Sequence, residues 1–455
     1  MPPSKRTLTN DMARARRQDV EVNHKLIHLF LIAALFPASG DIAFLMHIGG
    51  ATVRLSQILQ LVALLLFGAL HWRQSVALPR GAPFLVIFLA SCAVFVPNAP
   101  FLKYDFEFLV SFAICVLLVF VYSDYYGSSE KNLVSLVRWY LISCLCVALF
   151  GVVQFFAGIE GHELLITQWL IYKQIPRLNG ISYEPSYFAI YMIGAWGTVA
   201  VLLDYNVQSI LPRRTLQAAL VLLTTVIVLS TSRSGIAACY GGFVLFAGYW
   251  LLQAIKGRRI GAWRYWLMFI GIGLPLVVTY IAFLKFPAFA GAMVGGLGID
   301  RTSSYSVLDR FRAYDETLRL VRRHSIVGVG IGGIGPSIAE SLNPGITLES
   351  YLRDKINGLN VFLEAFAAGG IVGGLAFIGY LISLFAHLAK RLPLKDDLSR
   401  ISLALGLGLL FELFLLVFEQ NLVRVYLWIH IAVFSAALSA NPDAAVCTPK
   451  VNGAS

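Results

Sequence analysis

The feature that most limits this chain is a succession of apolar runs about as long as a bilayer is thick. A helix that crosses the hydrocarbon needs roughly 20 mostly apolar residues. Such runs stand at 26–48, 55–72, 82–97, 105–122, 133–157, 185–204, 215–231, 235–255, 264–285, 359–388, 401–418 and 425–440, about twelve candidate spans. Composition agrees, with 58% of residues hydrophobic and 13% charged and a mean hydropathy of +0.74. A water-soluble chain of 455 residues must keep its outside largely wet and could not hide so much apolar surface. The expected fold class is an all-α polytopic membrane protein. The first run carries Pro37, Gly40 and Asp41 and is expected to be bent or partly interfacial.

The formal charge of +11 would suggest nucleic acid in a soluble protein. In a membrane protein it first means cytoplasmic loops rich in Lys and Arg, and nucleic acid is not an expected partner. Twelve spans with a cytoplasmic N-terminus put 71–80, 123–131, 211–214, 256–264 and 390–400 inside. All but 123–131 are clearly basic. Residues 1–24 are then expected to be a basic cytoplasmic tail that stays on the protein, since no signal-cleavage pattern follows them. The organisation expected is spans 1–9 over 25–285 with an outer loop at 158–184, an outer loop at 286–358, spans 10–12 over 359–440, and a cytoplasmic tail at 441–455. Five of the six cysteines lie in apolar runs, where cysteine acts as a small hydrophobe. Neither a disulfide framework nor a metal site is expected.

The outer side receives charges that oppose the topological bias. Arg177, Arg233, Arg301, Arg310, Arg312, Arg319, Arg322, Arg323, Arg353 and Arg424 all fall there. Arginine forks match phosphate oxygens, so several are candidates to hold an anionic ligand. The alternative is pairing with Asp309, Asp315, Glu316 and other acids on a solvated loop. Within the long loop, Val307, Phe311, Tyr314, Leu318 and Val321 recur at helical spacing and predict an amphipathic helix over 306–323 at the interface. Arg310, at the flank of that stripe, would either meet a lipid-linked phosphate or snorkel to headgroups.

The run GVGIGGIG at 328–335 lacks the βαβ context of a dinucleotide site; a tight turn that packs the loop on the membrane domain is its expected use. Asn179-Gly180 signals a turn, and Pro185 opens a helix at a tolerated position. Glu184 then sits at a helix N-terminus, where a carboxylate is favoured. It is either a helix-start residue or a base or arginine partner at the outer surface. Glu412 lies well inside a span, where a charge is costly unless it is used or paired with a polar group of another span.

These pieces together resemble the O-antigen polymerase and ligase superfamily of bacterial envelope glycosyltransferases, over roughly 175–440 by motif order and topology. SRSG at 232–235 resembles its short Ser-Arg turn. Arg310, Tyr314, His324 and GVGIG at 328–332 resemble its arginine, aromatic, His-Pro and glycine run, with Ser325 where proline is usual. Asn360, Gly370 and Gly373 match its following-span motif in spacing, but Leu359 stands where the family has a histidine. Leucine has no titratable proton, so ligase chemistry through that histidine cannot run unchanged, and the departure favours a polymerase.

The resemblance implies a GT-C-like membrane architecture in the bacterial cytoplasmic membrane with its active face toward the periplasm. It implies metal-independent, cofactor-free transfer of a glycan from undecaprenyl pyrophosphate to a lipid-linked repeat unit of an exopolysaccharide, capsule or O-antigen. A chain-length regulator and a flippase are the candidate protein partners. On this reading Arg310, with Arg312 or Arg233, holds the pyrophosphate, and Glu184 binds or deprotonates the acceptor. Arg177, Tyr183, Tyr187, Tyr305, Tyr314, Asn360 and Arg424 contribute to substrate binding. Two rivals remain at this point: a ligase acting on a lipid or protein acceptor, and a flippase of lipid-linked sugars. A flippase needs a polar cavity reachable from both sides, whereas this sequence concentrates its polar residues on one face.

Overall fold

Within an apolar run the backbone has no water to bond, so its N–H and C=O groups must be satisfied inside the segment, and a helix does this. In the computed structural model, the described residues are 24–40, 42–43, 45–48, 51–71, 76–171, 173–257, 261, 264, 280, 284, 305–353, 358–419 and 422–440. The helices are α1 (His24–Ala33), α2 (Leu55–His71), α3 (Ala82–Val94), α4 (Leu102–Gly127), α5 (Glu130–Ile159), α6 (Pro185–Asp204), α7 (Arg213–Leu229) and α8 (Arg233–Ile255). After them come α9 (Tyr305–Arg323), α10 (Ile334–Leu342), α11 (Leu348–Arg353), α12 (Val361–Ala389), α13 (Asp397–Leu416) and α14 (Val425–Ser439).

Among the described residues, 6 helices are long and apolar enough to cross a membrane: α4, α5, α6, α8, α12 and α13. Shorter apolar helices are α1, α2, α14 and the stretch that begins with α3. The expected span at 264–285 and both tails lie almost wholly outside the described residues, as do 286–304 with Arg301.

The first expected span, 26–48, is not one helix. α1 stops at Ala33, the chain turns through 34–39, and a hairpin of β1 (Leu45–Ile48) and β2 (Ala51–Arg54) follows. Pro37 has no N–H to continue a helical ladder, and the Gly40 N–H instead closes a turn on the Pro37 carbonyl at 2.9 Å. A second small hairpin, β3 (Trp169–Ile171) with β4 (Ile175–Pro176), lies in the 158–184 loop. The chain is therefore mostly helical rather than purely so.

α6 is the centre. Every residue from Pro185 to Leu203 is buried, and the helix contacts α5, α7, α8, α13 and α14. Small residues allow this close approach. A Cβ on Gly197 would lie 3.0 Å from the Gly408 Cα of α13, and one on Gly194 would lie 2.8 Å from Glu412 Oε2. Outward, Val94, Phe156, Leu245, Leu251, Ile255, Ile382 and Phe414 are exposed. An apolar surface of this kind suits lipid.

Contacts sort the connecting segments into two ends. At one, Ala77 N–H donates to Asp124 at 2.6 Å, Arg138 donates to the Ile210 and Ser209 carbonyls at 2.8 and 2.9 Å, and Arg264 pairs with Asp204 at 2.9 Å. Arg391 donates there to the Leu438 and Ala440 carbonyls at 2.9 and 2.7 Å. At the other, Asn98 donates to the Gly328 carbonyl at 3.0 Å, Leu178 N–H to the Leu229 carbonyl at 3.2 Å, and Asn360 N–H to the Glu419 carbonyl at 3.2 Å. The first is the basic end. These partners are the segments that an alternating path through the membrane would leave on one side.

Candidate functional site

The non-basic end is built on the start of α6. Glu184 is its N-cap in extended conformation and makes no cap bond; its Oε2 accepts from Ser186 Oγ at 3.1 Å. Tyr183 is 57% exposed, while Tyr187, one turn into the helix, is buried. The Arg424 guanidinium lies over the Tyr187 ring, 4.2 Å from its centroid, at the N-cap of α14. One turn deeper Tyr191 meets Tyr426, ring centroids 5.6 Å apart. A cation–π contact and a tilted aromatic pair thus hold α14 against α6 and fix Arg424 beside the helix that carries Glu184.

The Ser-Arg turn joins the same end. Arg177 Nε donates to Thr231 Oγ1 at 2.7 Å, and its Nη1 donates to Gln168 Oε1 at 2.7 Å. Thr231 has φ of 51°, strained for a β-branched residue. Ser232 caps α8 by accepting from Gly235 N at 3.3 Å. A Cβ on Gly235 would meet Ala189 at 2.7 Å, so the start of α8 lies on α6, with Arg233 exposed on its first turn. The Asn179-Gly180 turn is real, and Gln154 of α5 is its hub: Oε1 accepts from Asn179 N and Gly180 N at 3.2 and 2.8 Å.

The glycine run and α12 form one interlocked unit. α12 breaks at Gly370, where φ is 63° and ψ is −166°. A broken helix leaves carbonyls without partners, and at membrane depth something must supply donors. The glycine segment does so: Val329 N–H donates to the Ala367 carbonyl at 2.9 Å, Gly330 N–H to Ala368 at 3.1 Å, and Ile371 N–H donates back to Ser325 at 2.9 Å. Side chains are excluded there, since a Cβ on Gly328 would collide with the Ala368 carbonyl and one on Gly370 with the Ile326 carbonyl. The run is a packing turn, and the 359–388 span is a discontinuous helix rather than the continuous one expected.

Asp105, in the first turn of α4, anchors this unit by accepting from Gly332 N–H. Asn360 caps α12, accepting from Phe362 N and Leu363 N at 2.9 and 3.3 Å with φ of 75°. Its side chain is therefore committed to the helix start. Glu364, one turn on, accepts from Leu422 N at 3.2 Å, and Glu419 is buried beside them. Asp105, Glu364 and Glu419 were not singled out from sequence. Each is a lone acid in or beside an apolar run, the signal that did single out Glu412. Glu412 is paired: Oε2 lies 2.7 Å from His430 Nδ1 of α14, both fully buried.

Helix α9 spans the predicted amphipathic segment, but its packed face is rotated. Glu316, Thr317 and Leu320 are buried, while Phe311 and Tyr314 are 69% and 39% exposed. Leu359 N–H donates to Thr317 Oγ1 at 3.1 Å, so the position that lacks the expected histidine is held against α9. Arg312, Arg322 and Arg323 are exposed. Arg319 pairs with Glu316 and Asp315 at 2.9 and 3.2 Å, the solvated-loop alternative realised for that residue. The backbone of Arg310 lies on α9; its side chain, like those of Val307, Asp309 and Tyr305, lies outside what is described. Of the other candidates, the structure brings together Glu184, Tyr187 and Arg424, and places Arg233 on the adjoining turn, to which Arg177 is hydrogen-bonded.

An apolar groove of about 620 Å³ runs between α12 and α13, lined by Phe362, Leu381, Phe385, Leu410, Phe414 and Val417 among others. Phe362 is two residues from Asn360 and Val417 two residues from Glu419, so one mouth of the groove adjoins the polar cluster.

Residues 218–378 match the family described as O-antigen ligase. The match takes in the Ser-Arg turn, α9, the glycine run, Asn360, Gly370 and Gly373, and leaves out 177–187 and Arg424. No curated protein matches the chain.

Proposed function

We propose, from the O-antigen polymerase and ligase superfamily that the match over 218–378 supports, that this chain is a polysaccharide polymerase. The family supports a role in assembling O-antigen or a related polysaccharide; the reaction and its residues are our reading. In it, a hydroxyl oxygen of a lipid-linked repeat unit attacks the anomeric carbon of a glycan carried on undecaprenyl pyrophosphate. The new C–O bond forms as the bond to the pyrophosphate breaks, the pyrophosphate leaves with the electron pair, and the hydroxyl proton passes to a base. Such a step requires cations at the departing phosphates and a base at the attacking oxygen.

The observation that carries the reading is the juxtaposition at the non-basic end. Arg424 lies over Tyr187, Glu184 stands on the same helix as Tyr187, and Arg177 is bound to the turn that carries Arg233; at the same end the apolar groove between α12 and α13 opens beside Asn360 and Glu419. A polyprenyl pyrophosphate has these two halves. Arg310, with Arg312 or Arg233, is assigned to the pyrophosphate and Glu184 to the acceptor. Arg177, Tyr183, Tyr187, Tyr314 and Arg424 surround the sugars, and Asn360 acts indirectly by capping α12. The site then faces the periplasm, the 286–358 loop lies outside, and the basic end and both tails face the cytoplasm, as the positive-inside rule requires.

Leu359 favours polymerase over ligase, because it offers no proton or lone pair and its N–H is bound to Thr317. The flippase reading is disfavoured by the Glu412–His430 pair, which is fully buried and closed on itself rather than lining an open polar route. Arg310→Ala tests the assignment. It is expected to stop polymer growth while protein level and repeat-unit export stay normal; wild-type polymer lengths in that variant would sink it.

A further inference from the structure

A second cleft lies at the basic end, away from the site above, and no step of the proposed transfer uses it. It has a volume of about 600 Å³ and is lined by three separate segments. Arg80 precedes α3, Lys390, Arg391 and Lys395 belong to the α12–α13 turn, and Ser439 ends α14.

The positive-inside rule accounts for basic loops but does not ask them to converge on a cavity. Here they converge, and the one acid among the lining residues is already engaged in a helix cap. Asp396, which also lines the cleft, accepts from Ser399 N at 2.6 Å in a capping box at the start of α13. Asp397 pairs with Arg400 at 3.0 Å. Among the described residues Arg80, Lys390 and Lys395 form no ion pair.

Arg391 is the fixed point of the cleft. It donates to Ser402 Oγ at 3.0 Å and to the last carbonyls of α14, so its position is set by the fold. Burial pushes its guanidinium below the ordinary value; Asp396 pulls it back, and Arg80 adds a smaller push downward. Arg80 and Arg391 are thus near enough to repel, and a phosphate between them would add to the relief that Asp396 gives.

We propose that this cleft is a binding site for a phosphate-bearing anion, with Arg80, Lys390 and Lys395 contacting the phosphate and Arg391 holding the turn in place. The phosphate can come from an anionic lipid headgroup or from a soluble ion. The cleft's position at the end of membrane-length helices allows either, and the experiment separates them.

The test uses the full-length protein in neutral detergent, stripped of lipid. Its thermal midpoint is followed against short-chain phosphatidylglycerol, phosphatidylcholine with the same chains, and inorganic phosphate. A rise with phosphatidylglycerol alone supports the site and assigns it to lipid; a rise with inorganic phosphate supports it and assigns a soluble ligand. Lys390→Gln with Lys395→Gln changes two exposed side chains that make no ion pair, and is expected to weaken the response about 30-fold, at ~1 kcal/mol per cation near a charged surface. Arg80→Gln alone is expected to weaken it about 5-fold by the same reasoning. The proposal is overturned if neither phosphate ligand raises the midpoint, or if both variants respond as the wild type does.

Discussion

The two ends of this bundle use their charges differently. At the basic end, arginines close the structure: Arg391 donates to carbonyls at the end of α14, Arg138 to carbonyls of the α6–α7 loop, and Arg264 pairs with Asp204. At the other end, Arg177 is bound to neutral oxygens and Arg424 lies on an aromatic face. Backbone strain follows the same division. Of the non-glycine residues with positive φ among those described, Leu165, Lys173, Thr231 and Asn360 belong to the non-basic end and only Asn206 to the basic one. Strained backbone costs about 1–3 kcal/mol per residue and persists where surrounding structure over-determines it, often at functional sites. The difference teaches that one end is arranged for orientation and closure, and the other holds irregular backbone, cations and carboxylates in fixed relation.

Substitutions at each end sharpen or break this contrast. The largest effect is expected from Gly330→Ala. Its φ is 76°, and a Cβ there would collide with the Asp105 carboxylate, so strain and overpacking together should cost about 4 kcal/mol. Thermal unfolding in detergent should show the loss, and polymer formation should fall with it. A normal midpoint would mean that the glycine run is not the seat of the outer loop.

His430→Ala comes next, leaving Glu412 buried without its partner, at an expected cost of about 3 kcal/mol. Because this pair lies between the ends, Glu412→Leu in the same chain should restore much of the midpoint, and polymer length in the double variant should be near normal. A stable double variant without polymer would instead give the pair a functional role.

Arg424→Ala removes a cation–π contact worth up to about 2 kcal/mol when desolvated. Polymerisation should slow about ten-fold, the midpoint should fall by what the lost contact is worth, and Arg424→Lys should retain part of both. An unchanged rate in Arg424→Ala would separate the stacked arginine from the reaction.

Asp396→Ala should have the smallest effect, about 1 kcal/mol of stability from a lost N-cap, and none on polymer length. The Ser399 N–H holds the Asp396 carboxyl below the usual carboxylate range. Its contribution is therefore present above the ordinary carboxylate pKa and is lost as pH falls through the lowered folded value. A midpoint scan toward acid should show wild type and variant converging there. A constant gap down to the most acid pH would argue against the cap.

Much of this was legible in the chain. Helix α6 stands at the residues its apolar run marked, because Pro185 fixes the start. The cost of a lone charge in a span left Glu412 to be either used or paired, and it is paired. What the sequence could not give depends on distant partners. The break of α12 at Gly370 needs the donors of 329–330, some 40 residues earlier. The helical stripe of α9 was visible, but periodicity cannot say which face the protein covers; Thr317 and Leu320 are packed and Phe311 is not. Asn360 matched a motif by spacing, and only the fold reveals it as a cap. Asp105 and Glu364 carried the same signal as Glu412, and their positions near helix starts made them resemble ordinary first-turn acids.

The most direct measurement is the size of lipid-linked glycans in cells lacking this gene. Single repeat units should accumulate on the carrier at the periplasmic face and long polymer should disappear, with restoration by the wild-type gene and not by Arg310→Ala. Long polymer accumulating on the carrier would contradict the polymerase reading and make the protein a ligase; single units held at the cytoplasmic face would contradict it and make the protein a flippase.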